Sequence, residues 1–119
     1  MSDLAQRIAQ NLAAVRQRMA GAAARSGRTA DQVRLVAVTK SVGQAEIRAL
    51  VEAGCRELAE SRPQQLWDRA EQLRDLSVRW HLIGHLQRNK VRRTLGLVEM
   101  IHSADSVRLI EAIERIAGE

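Results

Sequence analysis

The stretch Val33-Arg34-Leu35-Val36-Ala37-Val38-Thr39-Lys40 decides the fold class of this chain. Its residues are β-branched or apolar at nearly every position, so both alternating faces are hydrophobic. That is the pattern of a strand covered on two sides, as in a parallel sheet, rather than of a strand with one wet face. The run ends on Lys40, one of only two lysines against seventeen arginines. Arginine stays protonated, whereas a lysine amine can shed its proton and attack a carbonyl. A chain that writes almost all its positive charge as arginine, yet closes its first strand with lysine, has a candidate nucleophile there.

Working outward, Leu4, Ile8, Leu12, Val15 and Met19 recur every three or four residues, which predicts an amphipathic helix from about residue 3 to about 25. Asp3 and Gln6 resemble a capping box at its start, and Ser26-Gly27 supplies its end. After the first strand a cycle sets in. Ile47, Leu50 and Val51 with the terminating Gly54 make a helix, and Arg56 to Glu60 a short strand. Ser61 caps a further helix carrying Leu66, Trp67, Ala70 and Leu73, with Pro63 in its first turn and Gln64 completing the box. Trp80 to Gly84 is a third strand, Lys90 to Val98 a helix, and Met100 to Ser103 a fourth strand. Leu109, Ile110, Ile113 and Ile116 line the last helix. One helix followed by four βα repeats predicts right-handed crossovers, a parallel sheet and a single domain over residues 1–119. Four βα units are half of an eight-stranded (β/α) barrel of about 250 residues. The expectation is therefore half a TIM barrel, a truncated piece or one that associates through its exposed sheet edges, the alternative being a sheet that stays open in the flavodoxin manner with few strands.

Composition narrows the function classes. At 119 residues and 45% hydrophobic, with no long apolar run, the chain reads as a soluble domain without a membrane span or secretory leader, and so as cytoplasmic. The lone Cys55 can form no internal disulfide and reads as a small residue on a helix-to-strand turn. A net charge of +5 raises nucleic acid as a partner, with Arg88, Arg92 and Arg93 as the densest basic segment. Only Trp67 and Trp80 are available to stack on bases, which makes that partner the weaker alternative.

In α/β proteins functional groups gather beyond the carboxyl ends of the strands. Here those ends carry Thr39 and Lys40; Glu60 and Ser61; His81 with Gly84, His85 and Gln87; and His102, Ser103 and Asp105. Singly, Glu60 and Asp105 read as caps or ion-pair partners, and His81 as either a hydrogen-bonded core histidine or a ligand contact. Their convergence on one mouth is what makes a site.

Val36-Ala37-Val38-Thr39-Lys40, the Glu60-Ser61 turn with Gln64, the string Trp80-His81-Leu82-Ile83-Gly84-His85-Leu86-Gln87-Arg88-Asn89-Lys90, and Ile101-His102-Ser103-Ala104-Asp105-Ser106 occur in the order of the pyridoxal phosphate homeostasis protein family. The chain resembles the amino-terminal half of that family's pattern. The resemblance implies a pyridoxal phosphate barrel like the alanine racemase amino-terminal domain. It implies Lys40 as the residue that holds pyridoxal 5'-phosphate as a Schiff base, and vitamin B6 homeostasis rather than catalysis as the role. Ser61 and His81 are the other candidate cofactor contacts. The chain departs from the family in reading Ala59-Glu60-Ser61 where glycine, glutamate and asparagine are usual, and in following the next segment only partly at Arg62-Pro63-Gln64-Gln65. The later strands, whose loops commonly cradle the phosphate in such barrels, lie outside this sequence.

Overall fold

The computed structural model describes residues 2–119. Helix α1 (Asp3–Arg25) is followed by a single 3-10 turn at Ala30–Gln32 and strand β1 (Ala37–Val38). Then come α2 (Gln44–Glu52), β2 (Glu57–Glu60), α3 (Pro63–Gln72) and β3 (Arg79–Leu82). A second 3-10 turn (Arg88–Lys90) leads into α4 (Val91–Leu95), β4 (Val98–Ile101) and α5 (Val107–Ala117). The sheet order is β1-β2-β3-β4 and every pairing is parallel, so the expected βα alternation stands.

One face of the sheet makes the core. Leu58, Trp80 and Leu82 pack in one cluster with Ile47 and Val51 of α2, Leu66 of α3 and Leu73 at its carboxyl end, all buried. The alternate residues Glu57, Ala59 and His81 therefore point to the opposite face, which in a closed barrel would be the interior.

Several boundaries differ from the sequence reading. The first strand keeps only two residues of the expected six, because β1 has β2 as its one neighbour and β2 starts at Glu57; Val33 to Val36 run alongside without a ladder. Ser2, not Asp3, caps α1, its hydroxyl accepting from Ala5 N at 3.1 Å. Arg62 is the residue ahead of α3 and makes no side-chain cap, so Ser61 is free of the capping role it was given. Helix α4 stops at Leu95 before Gly96, and β4 begins at Val98, two residues earlier than expected. Gly27 and Gly54, at φ 78° and 99°, end their segments in the left-handed region that favours glycine. Cys55 sits buried on the turn between α2 and β2, where desolvation raises its thiol pKa.

Candidate functional site

The carboxyl ends of the four strands are stitched together by short-range contacts. Val38, Ala59 and His81 lie at one level of the ladder, so two residues further on Lys40, Ser61 and Ile83 share the rim. Gly84 lies so close to the Ser61 turn that a β-carbon added there would stand 1.7 Å from the Ser61 carbonyl oxygen. The Ser103 hydroxyl donates to the Gly84 carbonyl, joining the loop after β4 to the loop after β3.

Lys40 occupies the turn after β1 and is exposed. The described residues do not bury the amine. Its turn is nonetheless held firmly. Arg69, on the buried stripe of α3 with Leu66 and Leu73, donates to the Thr39 carbonyl at 3.3 Å and to the Val42 carbonyl, the two flanks of the turn. Glu60 lies 3.8 Å from the Arg69 guanidinium and accepts from the Thr39 hydroxyl. Gln65 donates to the Lys40 carbonyl at 3.3 Å. A buried ion pair thus fixes the backbone that presents the amine, while among the described residues the amine itself has no hydrogen-bond or ion-pair partner. Glu60 follows the ion-pair reading made from sequence; Arg69 was missed, although an arginine three residues after Leu66 and four before Leu73 is a recognisable break in an apolar stripe.

His81 lies one layer below the rim, 1% exposed, with both ring nitrogens engaged. Nε2 is 3.0 Å from Glu57 and Nδ1 is 2.9 Å from Nε2 of His102. This is the core alternative for His81, and it leaves no ring nitrogen free for a cofactor. Glu57 is the hub. Arg34 donates to it through two nitrogens and to Glu99 at 2.7 Å, and Arg79 stands 3.8 Å from each carboxylate. The Arg34 pairing foremost, opposed by desolvation and helped by His81, lowers the Glu57 pKa from its ordinary 4.5 to about 2. Glu99 reaches this group through a break in register at Trp80/His81, where β4 carries one extra residue. Glu57, His81 and Glu99 have ligand atoms within 4.8 Å of one another, but two guanidinium groups already neutralise the two carboxylates, so the cluster is an ion network rather than a cation site.

The basic segment after β3 is largely engaged within the chain. Arg92 pairs with Glu119, and Arg93 lies over the Trp67 ring at 4.4 Å. Among the described residues no helix is long and apolar enough to cross a membrane.

A rim of polar side chains on a four-stranded parallel βα sheet defines the class: a half-barrel of the TIM type. No protein-family model matches the chain. The chain is 34% identical over 113 residues to the pyridoxal phosphate homeostasis protein of Mycobacterium leprae, a match covering 87% of this chain and 44% of that one. PipY of Synechococcus elongatus, solved with pyridoxal phosphate bound, superposes with a TM-score of 0.81 at 38% identity, over 93% of this chain and 48% of PipY. The crystal structure of an unknown protein from Bifidobacterium adolescentis gives 0.87 at 37% identity, over 99% of this chain and 53% of that one. The chain belongs to the pyridoxal phosphate homeostasis protein family and spans about half the length of the relatives it matches.

Proposed function

We propose that this chain binds pyridoxal 5'-phosphate through Lys40 and serves intracellular vitamin B6 homeostasis as a carrier rather than through turnover. The observation that carries the reading is the presentation of Lys40: a primary amine without a hydrogen-bond or ion-pair partner among the described residues, at the rim of a parallel sheet, on a turn pinned by the buried Arg69–Glu60 pair. The donor set fits the group. When bound, the cofactor supplies an aldehyde, the partner that a primary amine condenses with. Ser61, half-buried on the same rim level, supplies a hydroxyl beside it. His81 acts from behind as a positioning residue, since both of its nitrogens are committed to Glu57 and His102.

The chain's own residues orient the amine and leave it open to an incoming aldehyde. The PipY structure with pyridoxal phosphate bound, at 38% identity, supports the choice of ligand. The test is incubation of the purified chain with pyridoxal phosphate followed by borohydride reduction and peptide mapping. A stable adduct on Lys40, absent in Lys40→Ala, is the expected result. An adduct spread over surface amines, or none, removes the proposal.

A further inference from the structure

Glu57, His81 and His102 form a chain of three side chains that runs from the buried face of the ion network to the rim, and the donor count along it is determined. Glu57 is ionised, so it only accepts, and the His81 Nε2 at 3.0 Å must donate to it. In a neutral His81 ring Nδ1 is then an acceptor. The His102 Nε2, 2.9 Å away, must donate to it. That leaves the lone pair of His102 on Nδ1, which has no partner among the described residues, on a side chain that is itself exposed. The His102 amide bonds the Leu82 carbonyl at 2.9 Å, which places the residue at the rim, near the level of Lys40 and Ser61. β1 and β4 are three strand spacings apart, about 14 Å. Lys40 and His102 therefore stand on the same rim, after the two outer strands of the sheet.

We infer that His102 is a general base and acid on the open mouth of the sheet, its reactive nitrogen set by Glu57 through His81, acting on carbonyl compounds and amines that meet Lys40. Only the identity of those molecules rests on the Lys40 reading. The proton step balances within the chain. A proton taken up at His102 Nδ1 is matched by passage of its Nε2 proton to His81 Nδ1, and the positive charge comes to rest beside Glu57. The charged groups facing that ring are Arg34 ahead of β1, Glu57 on β2, Arg79 on β3 and Glu99 on β4, two of each sign, so the relay works in a locally neutral surrounding. An isolated surface histidine has no such control. His85, whose nearest carboxylate is that of Asp105 at 3.6 Å, beyond hydrogen-bond distance and with both side chains exposed, is the internal reference.

Two-bond proton–nitrogen spectra of the labelled chain at alkaline pH read the tautomers directly. His81 and His102 should both be Nε2–H forms, whereas His85 should be mixed. Glu57→Gln, whose amide can donate as well as accept, should mix both relay rings and leave His85 unchanged. Diethyl pyrocarbonate then probes reactivity: His102 should be acylated about tenfold or more faster than His85, in line with general-base effects, and the advantage should vanish in Glu57→Gln. A neutral His102 carrying its proton on Nδ1, or acylation no faster than at His85, overturns the relay. In the cofactor arm, His102→Ala should slow formation of the borohydride-trapped Lys40 adduct without changing its final amount. An unchanged rate overturns the assignment of the relay to that chemistry. Should the wild-type chain form no adduct, the Lys40 reading falls by itself, and the spectra and acylation still decide the relay.

Discussion

Gly84 shows how much one hydrogen atom in place of a methyl group can decide. Its partner is backbone, the Ser61 carbonyl, which cannot swing aside as a flexible side chain would. Gly84→Ala should therefore cost about 3 kcal/mol by forcing the loops after β2 and β3 apart, read as a lower urea midpoint, with the Ser103-to-Gly84 hydrogen bond loosened. Glu57 makes a second residue-scale case. Its pKa is about 2 in the folded chain against an ordinary 4.5, so it contributes stability above pH 4.5 that is lost as pH falls toward 2. Urea midpoints measured between pH 6 and 2.5 should fall less steeply for Glu57→Gln than for the wild type. Lys40 and the rim position of Ser61 were legible because strand ends follow from apolar patterning. Glu57, Arg34 and Glu99 were not, since charged residues in predicted strands carry no sign of facing one another until register is known, and the extra residue in β4 that brings Glu99 to His81 leaves no mark in the pattern. His102 was named as a rim residue, but its partnership with His81 depends on that same register.

Among the elements, α5 is the best specified. Ser106 caps it, the hydroxyl accepting from Leu109 N at 3.1 Å, and Leu109 and Ala112 are buried. Ser106→Ala should lower stability by about 1 kcal/mol, seen as a shift in thermal midpoint with an unchanged far-ultraviolet spectrum at low temperature. The helices were readable because period and capping are local signals. β1 was overestimated for a matching reason: an apolar run states that a segment is fit for a sheet, while ladder length depends on how far its neighbour extends. β2, read as a short strand, is buried at all four positions, with Glu57 and Glu60 each facing a cation held on another element, although one carboxylate oxygen of Glu60 has no hydrogen-bond partner among the described residues.

At the scale of the whole molecule, the exposed large apolar side chains are confined to the two ends of the sheet. Val15, Val33, Val38 and Val42 belong to α1 and the β1 region, and Leu97, Met100, Val107 and Ile110 to the segment from the end of α4 to α5; none comes from α2, β2, α3 or β3. Beside β1, an apolar groove of about 340 Å³ opens between α1 and α2, lined by Leu4, Ile8, Leu12, Val15, Leu35 and Leu50 among others. Both sheet edges carry backbone donors and acceptors with no strand beside them among the described residues. A two-fold axis along the sheet's own barrel axis would set β4 of one copy beside β1 of the next, parallel as every existing pair is, and would cover both apolar ends at once. The 119-residue chain should therefore sediment as a dimer at micromolar concentration, with mass approaching one chain on dilution. Val38→Lys, at a side chain 51% exposed and so tolerable in the single chain, should shift that equilibrium strongly toward monomer while leaving the helical signal intact. A chain that stays monomeric at every concentration, with both apolar ends open to water, would show that the edges are not matched to each other.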